Sequence, residues 1–405
     1  MQLTVSVGPG AHSEELLEHL VRHGALKRVI HSWPRLSVHD FNNQTKELKL
    51  TKEISYYRFL VHAAWALWRR IPYWKRYQTP QAWIFNLYDK LASRMLGEPD
   101  IFLGWSQVSL LSLREAKKLG AVAALEHPMT HVDQWQSVMS EEYARHGKEA
   151  ASFNSLFSSA MVRRMKKEYE EAEFIVVPST SAERSFTGRG VPESKMIRIP
   201  FGVDVSLFRP ANSLEASPFR VLFAGRLELL KGVHYLLQAW SELKLPNAEL
   251  WLIGSVLPEI RPFLARYGSP RIRVIGEVPR SGMPEYYRQA HALVFPTLND
   301  GFGLVMLEAM ASALPVIATQ NSGGPDAIED GVSGFIIPIR DVEAIKEKIH
   351  RLHAHRDESK EMGLRGRRAL MARFTREHYC RRLLKAHTAI YQQRCKPQMS
   401  TDEHR

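Results

Sequence analysis

A chain of 405 residues is too long for one ordinary core, so two domains are expected, and 44% hydrophobic with 24% charged residues excludes a disordered or fibrous protein. Its most apolar runs, such as VHAAWALW and ALVFPTL, fall well short of the roughly 20 residues that a membrane-spanning helix needs. The formal net charge of +12 gives a surface that attracts polyanions, whether nucleotide diphosphates, anionic lipid headgroups or nucleic acid, without choosing among them.

In chain order, LTVSV predicts an opening strand, Gly8, Pro9 and Gly10 its turn, and SEELLEHLVRHG the first helix. No basic segment followed by an apolar one precedes that strand, so no secretory leader is expected. DIFLGW, AVAAL and FIVVPS read as later strands of the same half. IPFGVDVSLFRPANSLEASP, with its prolines and weak periodicity, reads as a linker between domains. The second half alternates again: RVLFAG, AELWLIG, IRVIGEV, ALVFPT and LPVIAT as strands, GVHYLLQAWSEL as a helix, then a helical end closed by HYCRRLLKAHTAIYQQR. Strands alternating with helices predict two Rossmann-like α/β halves with parallel sheets. Cys380 and Cys395 form neither a disulfide framework nor a metal-ligand pattern, which suits a reducing cytoplasm.

Ligands of open parallel sheets bind beyond the C-terminal strand ends. The richest such loop is PTLNDGFGLVMLEAMASALPVIAT, where Gly301 and Gly303 flank Phe302 and a helix is predicted from Leu304 through Ala313. Unpaired N–H groups at that helix start, on Gly303, Leu304 and Val305, suit phosphate or sugar oxygens. Glu308, one turn in, is a carboxylate on an apolar helix that can accept two hydrogen bonds from vicinal hydroxyls. Arg226 and Lys231 lie on a glycine-containing loop after a strand, where a guanidinium and an ammonium suit a diphosphate. The opening turn lacks a dinucleotide fingerprint, because Ser13 stands where the third glycine would fall.

Residues 172–340 resemble the donor half of glycosyltransferase family 4. The segments VPSTSAERSFTGRGVPESKMIRIPFGVDVSLFRP, FAGRLELLKGVHYLLQA and NDGFGLVMLEAMASALPVIAT follow in that family's order. The resemblance implies an α/β protein of the GT-B type, with two Rossmann-like domains facing across a cleft. An acceptor-binding domain would span 1–200, a nucleotide-sugar donor domain 201–372, and 373–405 would cross back to the first. It implies a retaining, metal-independent transferase with no cofactor, moving a sugar from a nucleotide diphosphate to a glycan or lipid-linked acceptor, with cell-surface polysaccharide or glycolipid assembly as its setting.

Arg226 and Lys231 would neutralise the leaving diphosphate, and Glu308 would hold the ribose. Asp300 stands where the family has a longer Glu, with seven residues kept between the two acids. Gly8 and Gly10 would approach the donor phosphate. Glu126, His127 and His131 are expected to face the cleft after AVAAL; which histidine meets the transferred sugar is open, the HPMT loop favouring His131. The alternatives from the residues are a nucleotide-sugar-binding protein without transfer and a sugar-nucleotide epimerase. No nucleic-acid motif matches.

YRFLVHAAWALWRRIPYWKR, residues 57–76, carries five Lys or Arg, six aromatics and no acid. It reads either as a peripheral contact with the inner face of a membrane or as a core helix with a basic stripe.

Overall fold

The computed structural model describes residues 1–7, 17, 20, 21, 24–31, 51–53, 81–151, 157–211 and 218–395. Gly8, Gly10 and residues 57–76 therefore lie outside the described residues.

Seven strands form the first sheet: β1 (Leu3–Val7), β2 (Leu26–His31), β3 (Thr51–Glu53), β4 (Ile101–Trp105), β5 (Val122–Glu126), β6 (Phe174–Val177) and β7 (Met196–Arg198). Its helices are α1 (Gln81–Ser93), α2 (Leu110–Lys118), α3 (Val132–Ala151), α4 (Ser159–Glu171) and α5 (Thr180–Thr187). The second domain runs β8 (Phe219–Ala224), α6 (Val233–Leu243), β9 (Ala248–Ile253), α7 (Arg261–Tyr267), β10 (Ile272–Gly276), α8 (Met283–Gln289) and β11 (Ala292–Phe295). It continues through α9 (Leu304–Ala311), β12 (Val316–Thr319), α10 (Gly324–Ala327), β13 (Phe335–Ile337), α11 (Val342–Ala354) and α12 (Arg356–Arg373), and α13 (Arg376–Cys395) follows.

The first sheet has the order β3-β2-β1-β4-β5-β6-β7 and the second β10-β9-β8-β11-β12-β13, with parallel pairing throughout these strands. Strands covered on both faces must be apolar on both, and FRVLFA of β8 and ALVF of β11 are buried almost from end to end. Winding reverses between β1 and β4 in one sheet and between β8 and β11 in the other. The loops at these two switch points are where the fold leaves room for a ligand.

Two chain crossings join the domains side by side. Val203 N donates to the Phe374 carbonyl and Arg376 N to that of Val203, both at 3.0 Å. Gly202 is needed there, since a Cβ would sit 2.4 Å from the Thr375 carbonyl oxygen. Past that crossing α13 returns to the first domain: Tyr379, Cys380, Leu383 and Ile390 join Leu3, Val5, Ile101 and Val122 in one buried cluster. Each fully buried side chain of this kind contributes about 1.5–3 kcal/mol.

Local differences from the sequence reading are small and have local causes. Helix α9 stops at Ala311 instead of Ala313, because Ala313 adopts a left-handed φ of 59° that ends the helix.

Candidate functional site

The loop after β8 opens with Arg226 and ends at Gly232, whose φ of 64° starts α6. A Cβ on Gly232 would meet the Pro296 carbonyl oxygen at 2.0 Å, so this loop rests directly on the one after β11. That contact brings Lys231 to Asp300, with Nζ 2.5 Å from Oδ2. Asp300 Oδ1 also accepts from Phe302 N at 3.0 Å, which shapes the turn into α9. Arg226 pairs with Glu228 at 3.0 Å and remains substantially exposed.

Gly303, at φ 95°, begins α9, and a Cβ there would fall 2.5 Å from the Phe295 ring. Gly303, Leu304 and Val305 are half-buried, whereas the rest of the helix is buried. Their N–H groups are those that an α-helix leaves without intrahelical acceptors, and they carry its partial positive charge. Glu308 follows one turn later, largely buried, and accepts from the Tyr287 hydroxyl at 2.9 Å while Arg280 Nε stands 3.9 Å from its other oxygen. Burial and the Glu308 carboxylate hold the Tyr287 hydroxyl well above its ordinary pKa, so Tyr287 is a fixed donor. This orienting tyrosine, on α8, was not apparent from the sequence.

A cavity of 230 Å³ lies between the domains. Arg226, Lys231, Asp300 and Gly301 line it from the second domain, and Gln107, Pro128 and Thr130 from the first. Gln107 is built in: its φ is 81°, its N–H donates to Glu168 at 2.6 Å, and its carbonyl accepts from Arg164 at 2.6 Å. Glu168 is itself buried, which pushes its carboxyl up to about 7, against the pull of Arg164.

The histidines expected to face the cleft do not reach it. His127 is fully buried and His131 nearly so, and both rings lie 5.0–5.2 Å from those of Tyr169 and Phe186. The reason is a fold-back of the following loop: His127 Nε2 contacts the Thr130 carbonyl at 3.0 Å, so Pro128–Thr130 covers the rings and meets the cleft instead. Burial lowers both histidines to about 4, leaving them neutral. Glu126 is buried as well, and burial raises its carboxyl to about 8.

Direct contacts close the cleft. Asn299 Nδ2 donates to Thr130 Oγ1 at 2.7 Å, and Gly301 packs so tightly on Pro128 that a Cβ would lie 1.9 Å from its carbonyl oxygen. Asp326 accepts from Thr180 N at 3.0 Å and from Thr180 Oγ1 at 2.5 Å. Glu142 of α3 is the strongest tie: it accepts from His146 (2.9 Å) on its own helix, and from His234 (2.7 Å), Tyr235 (2.8 Å) and Arg340 (2.7 Å) of the other domain. Burial pushes the Glu142 carboxyl up, but these donors overcome it and hold the group well below the usual carboxylate range. The ligating atoms of Glu142, His146 and His234 lie within 4.8 Å of one another. With Arg340 already on the carboxylate, the arrangement reads as a hydrogen-bonded hub, since a dication would sit beside the Arg340 guanidinium on the same carboxylate.

Residues 218–355 match the family model described as glycosyl transferases group 1. A D-inositol 3-phosphate glycosyltransferase of Streptomyces bingchenggensis is 34% identical over 176 residues, 38% of this chain and 39% of the relative. The capsular polysaccharide biosynthesis glycosyltransferase CapM of Staphylococcus aureus is 28% identical over 221 residues, 50% of this chain and 58% of the relative. The matched stretch thus spans about two fifths to three fifths of these relatives. Over the whole fold, the crystal structure of HepE from Anabaena in complex with UDP aligns with a TM-score of 0.67 at 15% identity, covering 96% of this chain and 100% of that one. The architecture is GT-B: two parallel-sheet Rossmann-like domains with a helical C-terminal end. Among the described residues, no helix is long and apolar enough to cross a membrane.

Proposed function

We propose that this protein is a glycosyltransferase that takes a sugar from a nucleotide diphosphate donor and passes it, with retention of configuration and without a metal ion, to a glycan or lipid-linked acceptor. The observation that carries this reading is the second switch point: Arg226 and Lys231 line the cavity after β8, Asp300 ties Lys231 to the loop after β11, and that loop leads into the α9 N-terminus and, one turn in, to Glu308 held by Tyr287. Two cations and a helix start are what a diphosphate needs to leave, and a fixed carboxylate is what a ribose diol needs to be held.

Lys231 already carries a carboxylate partner in Asp300, so donor binding would exchange that ion pair for phosphate oxygens and free Asp300 toward the sugar. In the reaction the acceptor oxygen bonds to the anomeric carbon as the bond from that carbon to the diphosphate oxygen breaks. The acceptor proton passes to the departing diphosphate on the same face. No protein base is required, which accords with the burial of His127 and His131 as neutral rings.

UDP is the first nucleotide to test, because HepE is solved with it. Thermal unfolding of wild type and Glu308→Ala with UDP, GDP, ADP and their sugar conjugates, in chelator and again with added magnesium, checks the reading. One nucleotide should stabilise the wild type, and the variant should lose about 1.5–3 kcal/mol of that binding energy. No shift with any nucleotide would sink the donor site, a shift only on adding metal would sink metal independence, and binding without turnover would favour a binding protein.

A further inference from the structure

The cleft holds a second cavity, of 370 Å³, on the other side of the Thr130–Asn299 contact. Both domains build it, with Gln134, Thr180 and Arg184 on one wall and Gln320 and Asn321 on the other. Thr130 and Asn299 line both cavities, so the two compartments adjoin at these residues and the 2.7 Å hydrogen bond between them.

Its lining is hydroxyl and amide groups with one cation and no carboxylate. The nearby Asp326 is already committed, to Thr180 N and Oγ1 and to Arg198 at 3.4 Å. Arg189, next along the chain, is likewise engaged, by Gln134 Oε1 at 2.9 Å and the Ser185 carbonyl at 3.0 Å. Arg184 differs: it is exposed to the cavity and makes no side-chain hydrogen bond or ion pair among the described residues. Gln134, its oxygen taken by Arg189, keeps its amide nitrogen as a donor. An unengaged guanidinium among hydroxyls and amides is complementary to an oxyanion on a polyhydroxylated ring.

We propose that this compartment seats an acceptor that is an anionic sugar, bearing a phosphate or a carboxylate, with Arg184 on the anion. The proposal rests on the transferase reading above. An acceptor hydroxyl reaching past Thr130 and Asn299 would meet the anomeric carbon in the neighbouring cavity; its oxygen gains that carbon, its proton goes to the departing diphosphate, and no other reactant is needed. Because the two walls belong to different domains, the site is complete only when the cleft is closed.

The test is calorimetric titration of the UDP-saturated protein with glucose 6-phosphate, glucuronate, glucose and inorganic phosphate, in wild type, Arg184→Ala and Arg184→Glu. At least one charged sugar should bind about tenfold or more tightly than glucose, Arg184→Ala should abolish that preference, and Arg184→Glu should reverse it. UDP affinity should stay within about twofold in both variants, which also shows that they fold. The stronger of the two charged sugars tells phosphate from carboxylate. Equal binding of glucose and the charged sugars, or retention of the preference in Arg184→Ala, overturns the proposal; inorganic phosphate competing as well as the sugar phosphate reduces the site to an anion hole and overturns its sugar part. If none of UDP, GDP and ADP binds while an Arg184-dependent preference persists without nucleotide, the donor reading has failed and this site stands.

Discussion

Gly301→Ala isolates the effect of domain closure from that of donor binding. The added Cβ would lie 1.9 Å from the Pro128 carbonyl oxygen, 2.7 Å from its carbon and 3.1 Å from Met129 Cα. These are backbone atoms of the opposite domain and cannot swing aside as a side chain would. To reach an ordinary contact of 3.4 Å the two loops must separate by about 1.5 Å. Arg226, Lys231 and Glu308 all belong to the second domain and move together, so nucleotide affinity should change little. Transfer, which needs groups from both domains in register, should fall by about 100-fold, the usual consequence of a misplacement near 1 Å. Steady-state kinetics beside a UDP titration makes the comparison. Transfer within threefold of wild type would show that Gly301 and Pro128 do not meet during catalysis, and a matching loss of UDP affinity would show that the loop itself had collapsed.

Two stability predictions concern charges buried at and near the interface. Glu142→Gln keeps the shape of the hub but removes the charge that His234, Tyr235 and Arg340 address, and should cost about 3 kcal/mol in urea unfolding; a cost under about 0.5 kcal/mol would mean that the hub does not hold the domains. Glu126, raised by burial to about 8, contributes stability that is whole below the ordinary carboxylate value and is lost as pH rises toward 8, since only the unfolded chain ionises freely there. Glu126→Gln should therefore gain on the wild type by roughly 4 kcal/mol between pH 4.5 and 8, and the gain should level off above that. A difference that does not vary with pH would mean that the Glu126 carboxyl finds a partner in solution.

The second half was legible because its signals are local. VLFA and ALVF are uninterrupted apolar runs that suit a strand covered on both faces, and Arg226 with Lys231, or Asp300 with Glu308, fall within a loop and a helix turn of each other. What was missed lies far apart in the chain. Tyr287 is 21 residues from Glu308, Asn299 is 169 from Thr130, and Arg340 is 198 from Glu142; no periodicity encodes such pairs. His127 and His131 misled for a different reason. A strand end normally delivers its next residues to the cleft, but the Thr130 carbonyl turns back to His127 and the aromatic rings of Tyr169 and Phe186 fill the space around both histidines.

The return of α13 to the first domain also sets an order of events during synthesis. Leu3 and Val5 leave the ribosome early, yet Leu383 and Ile390, which complete their cluster, are made several hundred residues later. At about 5–20 residues per second the first sheet waits on the order of tens of seconds with this cluster incomplete. The strands from Phe219 to Ile337 and the helices after them complete their own core before that wait is over. The half encoded second is thus the first able to complete its core, and the half encoded first completes its own only when the last helix arrives.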